Sequence, residues 1–172
     1  MGQDDDGDGL LTICDFMRHA LSRFNAADLV YGQFETAPAA LWEGFRLAKA
    51  HGVTTALNPS PWQALSAAQL ALCDLLIVNE VEAAGLLGNI DLAEADLATC
   101  LARLRTPVAA LMARWQGQLL VVTLGARGAL AFPRADAPVM APAAEYFCKA
   151  SLAFGLALVL VKRLKTFFIA GR

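Results

Sequence analysis

The chain has 172 residues, enough for one domain with a sizeable hydrophobic core and no need of disulfides or a structural metal. Hydrophobic residues make up 57% and charged residues 17%, with a mean hydropathy of +0.48, which excludes an intrinsically disordered chain and points to a core-rich α/β or helical protein. A formal net charge of -2 leaves no basic surplus for phosphate backbones and argues against nucleic acid as a partner.

Residues 1–25 form an acidic head. Gln3 to Gly9 contains no apolar residue and cannot begin a core element. Asp4, Asp6 and Asp8, with Gly9 and Asp15, fit the spacing of an EF-hand calcium loop, although Asp15 stands where a bidentate Glu is usual. Only three residues precede this run, so an incoming helix is missing, and an acidic tail is preferred to a Ca²⁺ site. Phe16, Ala20 and Phe24 recur at helical spacing and predict a short amphipathic helix over Asp15 to Phe24.

From residue 26 the pattern changes. Leu29 to Phe34 reads as a buried strand, and Thr36 with Pro38 starts a helix over Ala39 to Ala50 that His51-Gly52 stops. Val53 to Leu57 is β-branched and short, hence a strand, which Asn58-Pro59-Ser60-Pro61 breaks. A helix follows around Ser66 to Leu72. Leu75 to Val78 is a continuous apolar run, as in a strand covered on both faces, and Glu80 to Leu87 returns to helix. Asp91 to Leu104 has an acidic first turn and is predicted as one helix, with a second starting at Pro107 and reaching about Trp115. Leu119 to Leu124 is the next strand, Gly125 and Gly128 make a turn, and Ala129 to Phe132 pairs back as a hairpin arm. The alternation predicts a mostly parallel sheet built of βα units over residues 26–142, with ligands at the carboxyl ends of its strands.

Residues 143–172 are apolar and basic. Ala150 to Val161 is flanked by Lys149 and by Lys162-Arg163. A transmembrane helix needs about twenty apolar residues, so this run is too short; a core helix is preferred to a monotopic membrane contact or a partner-binding helix. The cysteines Cys14, Cys73, Cys100 and Cys148 form no C-x-x-C pair and no secretory signal is recognised, which predicts reduced thiols and a cytoplasmic location. His19 and His51 are too few for a zinc site or a Ser-His-Asp triad and read as helix surface residues.

Chemistry is therefore sought just after each strand, at Glu35, Asn58, Asn79 to Glu82 and Thr123 to Gly128. Asn79-Glu80-Val81-Glu82 leaves a strand directly into a helix. Read alone it is a helix cap; alternatively Asn79 and Glu82 hold a hydrated Mg²⁺. Thr123-Leu124-Gly125-Ala126-Arg127-Gly128 is a plain turn by itself, although its glycines would let backbone N–H groups approach a phosphate. It lacks the Gly-Lys-Ser/Thr ending of a Walker A loop.

Taken in order, Gln33-Phe34-Glu35, Leu57-Asn58-Pro59-Ser60-Pro61, Asn79-Glu80-Val81-Glu82-Ala83 and Thr123 to Gly128 resemble ribokinase and the PfkB carbohydrate kinase family. So do the spacers AKAHGV and ALCDLLIVNE, and the likeness covers about residues 26–133. The resemblance implies a three-layer ribokinase-like α/β fold with a mostly parallel central sheet, incomplete at both ends of this chain. It implies ATP-dependent phosphoryl transfer to a sugar hydroxyl with Mg²⁺. Glu35 then resembles a sugar-contacting carboxylate, Asn79 and Glu82 match the N-x-x-E motif linked to Mg²⁺ and phosphate, and Thr123, Gly125 and Gly128 match the nucleotide-binding turn.

Two departures accompany the match. Nothing before residue 26 resembles the family's N-terminal half, which carries most sugar contacts, and no G-A-G-D segment, whose Asp is the family's base, is found. Losing a positioned base costs about two to four orders of magnitude and losing oxyanion stabilisation roughly two to three. The expectation is a truncated or degenerate kinase fragment with impaired catalysis; the alternative is a non-catalytic nucleotide- or partner-binding protein. An incomplete sheet exposes an edge and apolar surface, which favours homo-oligomers.

Overall fold

The computed structural model describes residues 29–35 and 37–142. The acidic head with Asp4, Asp6, Asp8 and Asp15, the helix expected before residue 25, Thr36 and the apolar tail all lie outside them. Six strands form one sheet in sequence order: β1 (Leu29–Gln33), β2 (Thr54–Asn58), β3 (Leu75–Val78), β4 (Leu119–Thr123), β5 (Ala129–Pro133) and β6 (Val139–Ala141). The first four are parallel, while β5 and β6 run antiparallel to their neighbours. Four helices carry the chain between the parallel strands: α1 (Pro38–Ala50), α2 (Ala67–Ala71), α3 (Glu80–Leu87) and α4 (Leu97–Arg114).

All four helices pack on one face of the sheet. Leu41 and Phe45 of α1, Leu70 of α2, Ala83 and Leu86 of α3, and Cys100, Leu104, Val108 and Leu111 of α4 join Leu57, Leu76, Val78, Leu120, Val122, Leu130 and Phe132 in one core cluster. Strand residues alternate faces, so the intervening Ala56, Leu75, Ile77, Leu119, Val121, Ala129 and Ala131 form a second apolar cluster on the opposite face. No described helix contributes to that second cluster. The sequence of β3, LLIV, is apolar at every position for this reason.

The helix boundaries have local causes. Pro38 occupies the first turn of α1, where its missing N–H costs nothing. Ser66 caps α2 with its side chain and Gln69 answers, and Asp96 caps α4 by accepting from Thr99 N at 2.7 Å. The two helices expected between Asp91 and Trp115 are corrected to one, α4, which starts at Leu97 and passes through Pro107. Cys100, Leu104, Val108 and Leu111 keep one buried stripe across the proline, and burying that stripe outweighs the single backbone hydrogen bond that Pro107 cannot make. Asp91 to Asp96 form an irregular connection instead, with Glu94 at φ 53 and the Asp91 carboxylate accepting from Ala93 N. The short edge strand β6, enclosed by Pro138 and Pro142, was not expected.

The amino ends of β2, β3 and β4 are tied by one buried carboxylate. Asp74 accepts from Thr55 N at 3.0 Å and pairs with Lys49 Nζ at 2.5 Å. The Thr55 hydroxyl donates to Leu72 O at 2.6 Å and accepts from Asp74 N at 3.1 Å, while Asp74 O accepts from Gln118 N at 2.6 Å. Trp115, 1% exposed, donates its indole N–H to Cys73 O at 2.9 Å. Arg134 from the start of the β5–β6 connection donates to Trp115 O, Met112 O and Gly117 O, closing the carboxyl end of α4.

Asp74 is buried and its carboxylate holds Thr55 N, whereas Lys49 is exposed, so Asp74→Ala strands one buried backbone N–H and is expected to cost about 2 kcal/mol. Urea unfolding of the full chain measures this, and a loss below about 1 kcal/mol would show that the network carries little. Cys73 gives a second expectation. Burial pushes its thiol up to about 12, with the Asp74 carboxylate adding to the rise and Lys49 opposing it. The unfolded thiol ionises near 9.0, so its contribution to stability is full below that pH and is lost as pH rises towards 12. At about pH 8 iodoacetamide should therefore leave Cys73 unlabelled in the folded chain and label it in urea; peptide mass spectrometry decides, and fast native labelling would contradict the burial.

Candidate functional site

Because β1 to β4 are parallel, their carboxyl ends share one edge of the sheet, and each polar segment singled out in the sequence lies on it. Gln33 pairs in register with Asn58, and Val78 with Val122, so Glu35, Asn58, Asn79 and Thr123 follow the ends of four adjacent strands.

At β1, Glu35 is exposed and its carboxylate accepts from Gln33 Nε2 at 2.9 Å. Tyr31 donates its hydroxyl to Gln33 Oε1 at 3.4 Å. Burial pushes the Tyr31 phenol up, a hydrogen bond from Asn58 opposes the rise, and the Glu82 and Glu35 carboxylates add to it. The phenol thus feels both carboxylates, which the sequence separates by 47 positions. Asn58 Oδ1, at the end of β2, is buried and finds no hydrogen-bond donor among the described residues.

Asn79 and Glu82 meet directly. The Asn79 side chain accepts from Glu82 N, Glu82 Oε2 accepts from Asn79 N and Glu82 Oε1 from Asn79 Nδ2, each at 2.9 Å. This is a closed capping box at the start of α3, and Glu82 is 2% exposed. Both carboxylate oxygens are already held by one donor each, which leaves lone pairs for a water but not an open chelate. No group of three or more His, Cys, Asp or Glu that could hold a metal by itself occurs among the described residues.

Beyond β4, Gly125–Arg127 form one turn of 3₁₀ helix. Gly125 at φ 57 and Gly128 at φ 116 adopt backbone that other residues rarely take, which is why glycines stand there. The Thr123 hydroxyl donates to Val78 O at 3.3 Å, bridging β4 to β3. Arg127 turns inward and pairs with Glu80 at 2.6 Å, and that carboxylate pushes the guanidinium further up. Both residues lie in segments that the sequence singles out, Asn79 to Glu82 and Thr123 to Gly128, but neither is given a role of its own there. A second contact across the edge is equally local: Trp62, after the Pro59-Ser60-Pro61 segment, lies so close to Gly85 that a Cβ there would meet its ring at 2.3 Å.

The sequence profile described as "pfkB family carbohydrate kinase" matches residues 16–145. The chain belongs to the pfkB family. The match begins before the residue 26 and runs past the residue 133 that bounded the motif likeness. A ribokinase of Staphylococcus aureus is 49% identical over 57 residues, covering 33% of this chain and 19% of that protein. A bifunctional ribokinase/ribose-5-phosphate isomerase A of Fructilactobacillus sanfranciscensis is 42% identical over 78 residues, 45% of this chain and 14% of that one. The structure of an Arabidopsis thaliana ribokinase complexed with ribose and ATP superposes with a TM-score of 0.60 at 21% identity, over 72% of this chain and 38% of that one. The six-stranded mixed sheet with its helices is the ribokinase-like α/β fold of these neighbours, and the chain spans about a fifth or less of the length of the two curated relatives. No helix among the described residues is long and apolar enough to cross a membrane.

Asn79→Ala removes a cap acceptor and one of the donors to Glu82 and should cost about 1 kcal/mol, whereas Asn79→Ser should recover most of the loss. Urea midpoints of the two variants test this; equal loss in both would show that the side-chain cap does not hold α3.

Proposed function

We propose that the carboxyl edge of the sheet binds Mg-ATP on its β4 side and a sugar on its β1 side, as the scaffold of a pfkB-type carbohydrate kinase. The observation that carries this is the alignment of Glu35, Asn58, Asn79 with Glu82, and the Thr123 to Gly128 turn along the ends of four neighbouring parallel strands. Three interstrand steps of about 4.8 Å separate the β1 and β4 ends by roughly 14 Å. That leaves the two middle strand ends between donor and acceptor sides.

Each residue then has a task that its geometry allows. The turn holding Gly125 and Gly128 would offer backbone to the nucleotide phosphates without a side chain in the way; around Gly125 a Cβ would meet nothing within 4 Å. Asn79 and Glu82 fit a hydrated Mg²⁺ held through water, since their direct hydrogen bonds close the capping box. Bound there, Mg²⁺ would neutralise phosphate charge, which is most of what phosphoryl transfer asks of a protein. Asn58 Oδ1, buried without a donor, suits a sugar hydroxyl or an ordered water, and Glu35 with Gln33 suits further hydroxyls. The buried free thiols of Cys73 and Cys100 support a cytoplasmic setting.

The 172 residues carry no G-A-G-D segment and no residue on the described edge takes the place of its Asp, so this chain by itself is proposed to bind but to transfer phosphate poorly. Mg-ATP at a hundred times its dissociation constant should stabilise the fold by about 2.7 kcal/mol and raise the melting midpoint accordingly. ADP release with ribose or fructose should stay at background. An unmoved midpoint with Mg-ATP would overturn the binding assignment, and steady turnover would overturn the impairment.

A further inference from the structure

An arginine inside a glycine-punctuated turn beside a nucleotide invites assignment to the phosphates. The described contacts give it other work. Arg127 Nη1 donates to Leu92 O and to Ala95 O, both at 2.6 Å, and Nε donates to Leu124 O at 3.4 Å. Nη2 pairs with Glu80 Oε2 at 2.6 Å. A guanidinium has five N–H groups, and four are accounted for by these partners. Its charge is likewise matched by the single charge of Glu80. Leu92 and Ala95 lie in the irregular connection before α4, where besides Arg127 their carbonyls receive only the weak thiol donor of Cys100 among the described contacts, and Glu80 is the first residue of α3.

We propose that Arg127 is a positioning residue that locks the Gly125–Gly128 turn to the start of α3 and to the α3–α4 connection, and is not a phosphate ligand. The consequence for the site is a fixed separation between the turn assigned to the nucleotide and the Asn79–Glu82 box assigned to hydrated Mg²⁺. A second consequence is electrostatic: paired with Arg127, Glu80 presents little net charge to an incoming phosphate. Lysine cannot replace this fork, since a single ammonium cannot reach two carbonyls and a carboxylate in one plane. The functional part of the inference rests on the nucleotide assignment above; the structural part does not.

The test uses the full chain with Arg127→Lys and Glu80→Gln, the latter removing only the ion pair. Hydrogen exchange of residues 89–96 and 124–128, without ligand, should rise about tenfold in Arg127→Lys, as expected when two backbone-anchoring bonds are lost. Titration calorimetry should then show ATP, ADP and AMP weakened by the same factor, about tenfold. Unchanged exchange in both segments would overturn the clamp whether or not any nucleotide binds. Losses graded by phosphate number, largest for ATP and absent for AMP, would make Arg127 a phosphate ligand and overturn the proposal. Failure of the unaltered protein to bind any of the three nucleotides would sink the nucleotide assignment and with it the functional half of the proposal, while the exchange measurement still decides the clamp.

Discussion

Parallel pairing of the first four strands is the constraint from which the rest follows. Two parallel neighbours cannot be joined by a tight turn, so each strand must hand the chain to a crossover on a face of the sheet before the next begins. Here all four described helices run on the same face, and each of these four strands finishes at the same edge. Segments 25 and 45 residues apart in sequence therefore become lateral neighbours: Asn58 stands beside Gln33 and Thr123 reaches the carbonyl of Val78. Polar groups gather there because the apolar strands are exhausted and the helix amino termini open towards the same side.

The two edges of the sheet divide the labour. At the amino edge, the Asp74 carboxylate holds the backbone of β2 and the ammonium of Lys49, while the Asp74 backbone carbonyl holds the approach to β4. At the carboxyl edge, Asn58 Oδ1 is buried and finds no donor among the described residues, and Glu35 is exposed. Incompletely satisfied polar groups of this kind are where ligands find partners.

Much of this was legible in the residues. The continuous apolar run Leu75 to Val78 announces a strand apolar on both faces, and the Asn79-x-x-Glu82 spacing announces both a cap and a motif. The structure shows the cap; the metal role of the same two side chains remains the proposal above. Pro107 misled because a proline is a local signal, while the stripe from Cys100 to Leu111 that carries α4 through it is a tertiary one. Strand β6 is three residues between prolines, too short to carry a period. Arg127 was illegible for a different reason: the carbonyls of Leu92 and Ala95 that receive it are backbone atoms 35 and 32 residues away, and no residue type advertises them.

The contact between Trp62 and Gly85 joins two segments that the motifs treat separately. Gly85 lies about one and a half turns from the amino end of α3 that bears Asn79 and Glu82, and the indole resting on it belongs to the loop that leaves Asn58. The helix is in effect a short strut, with a polar tip at one end and a socket for the preceding loop near the other. The Trp62 indole thereby ties the loop that leaves β2 to the helix that leaves β3, a link made by packing alone at a position where only glycine leaves room for the ring.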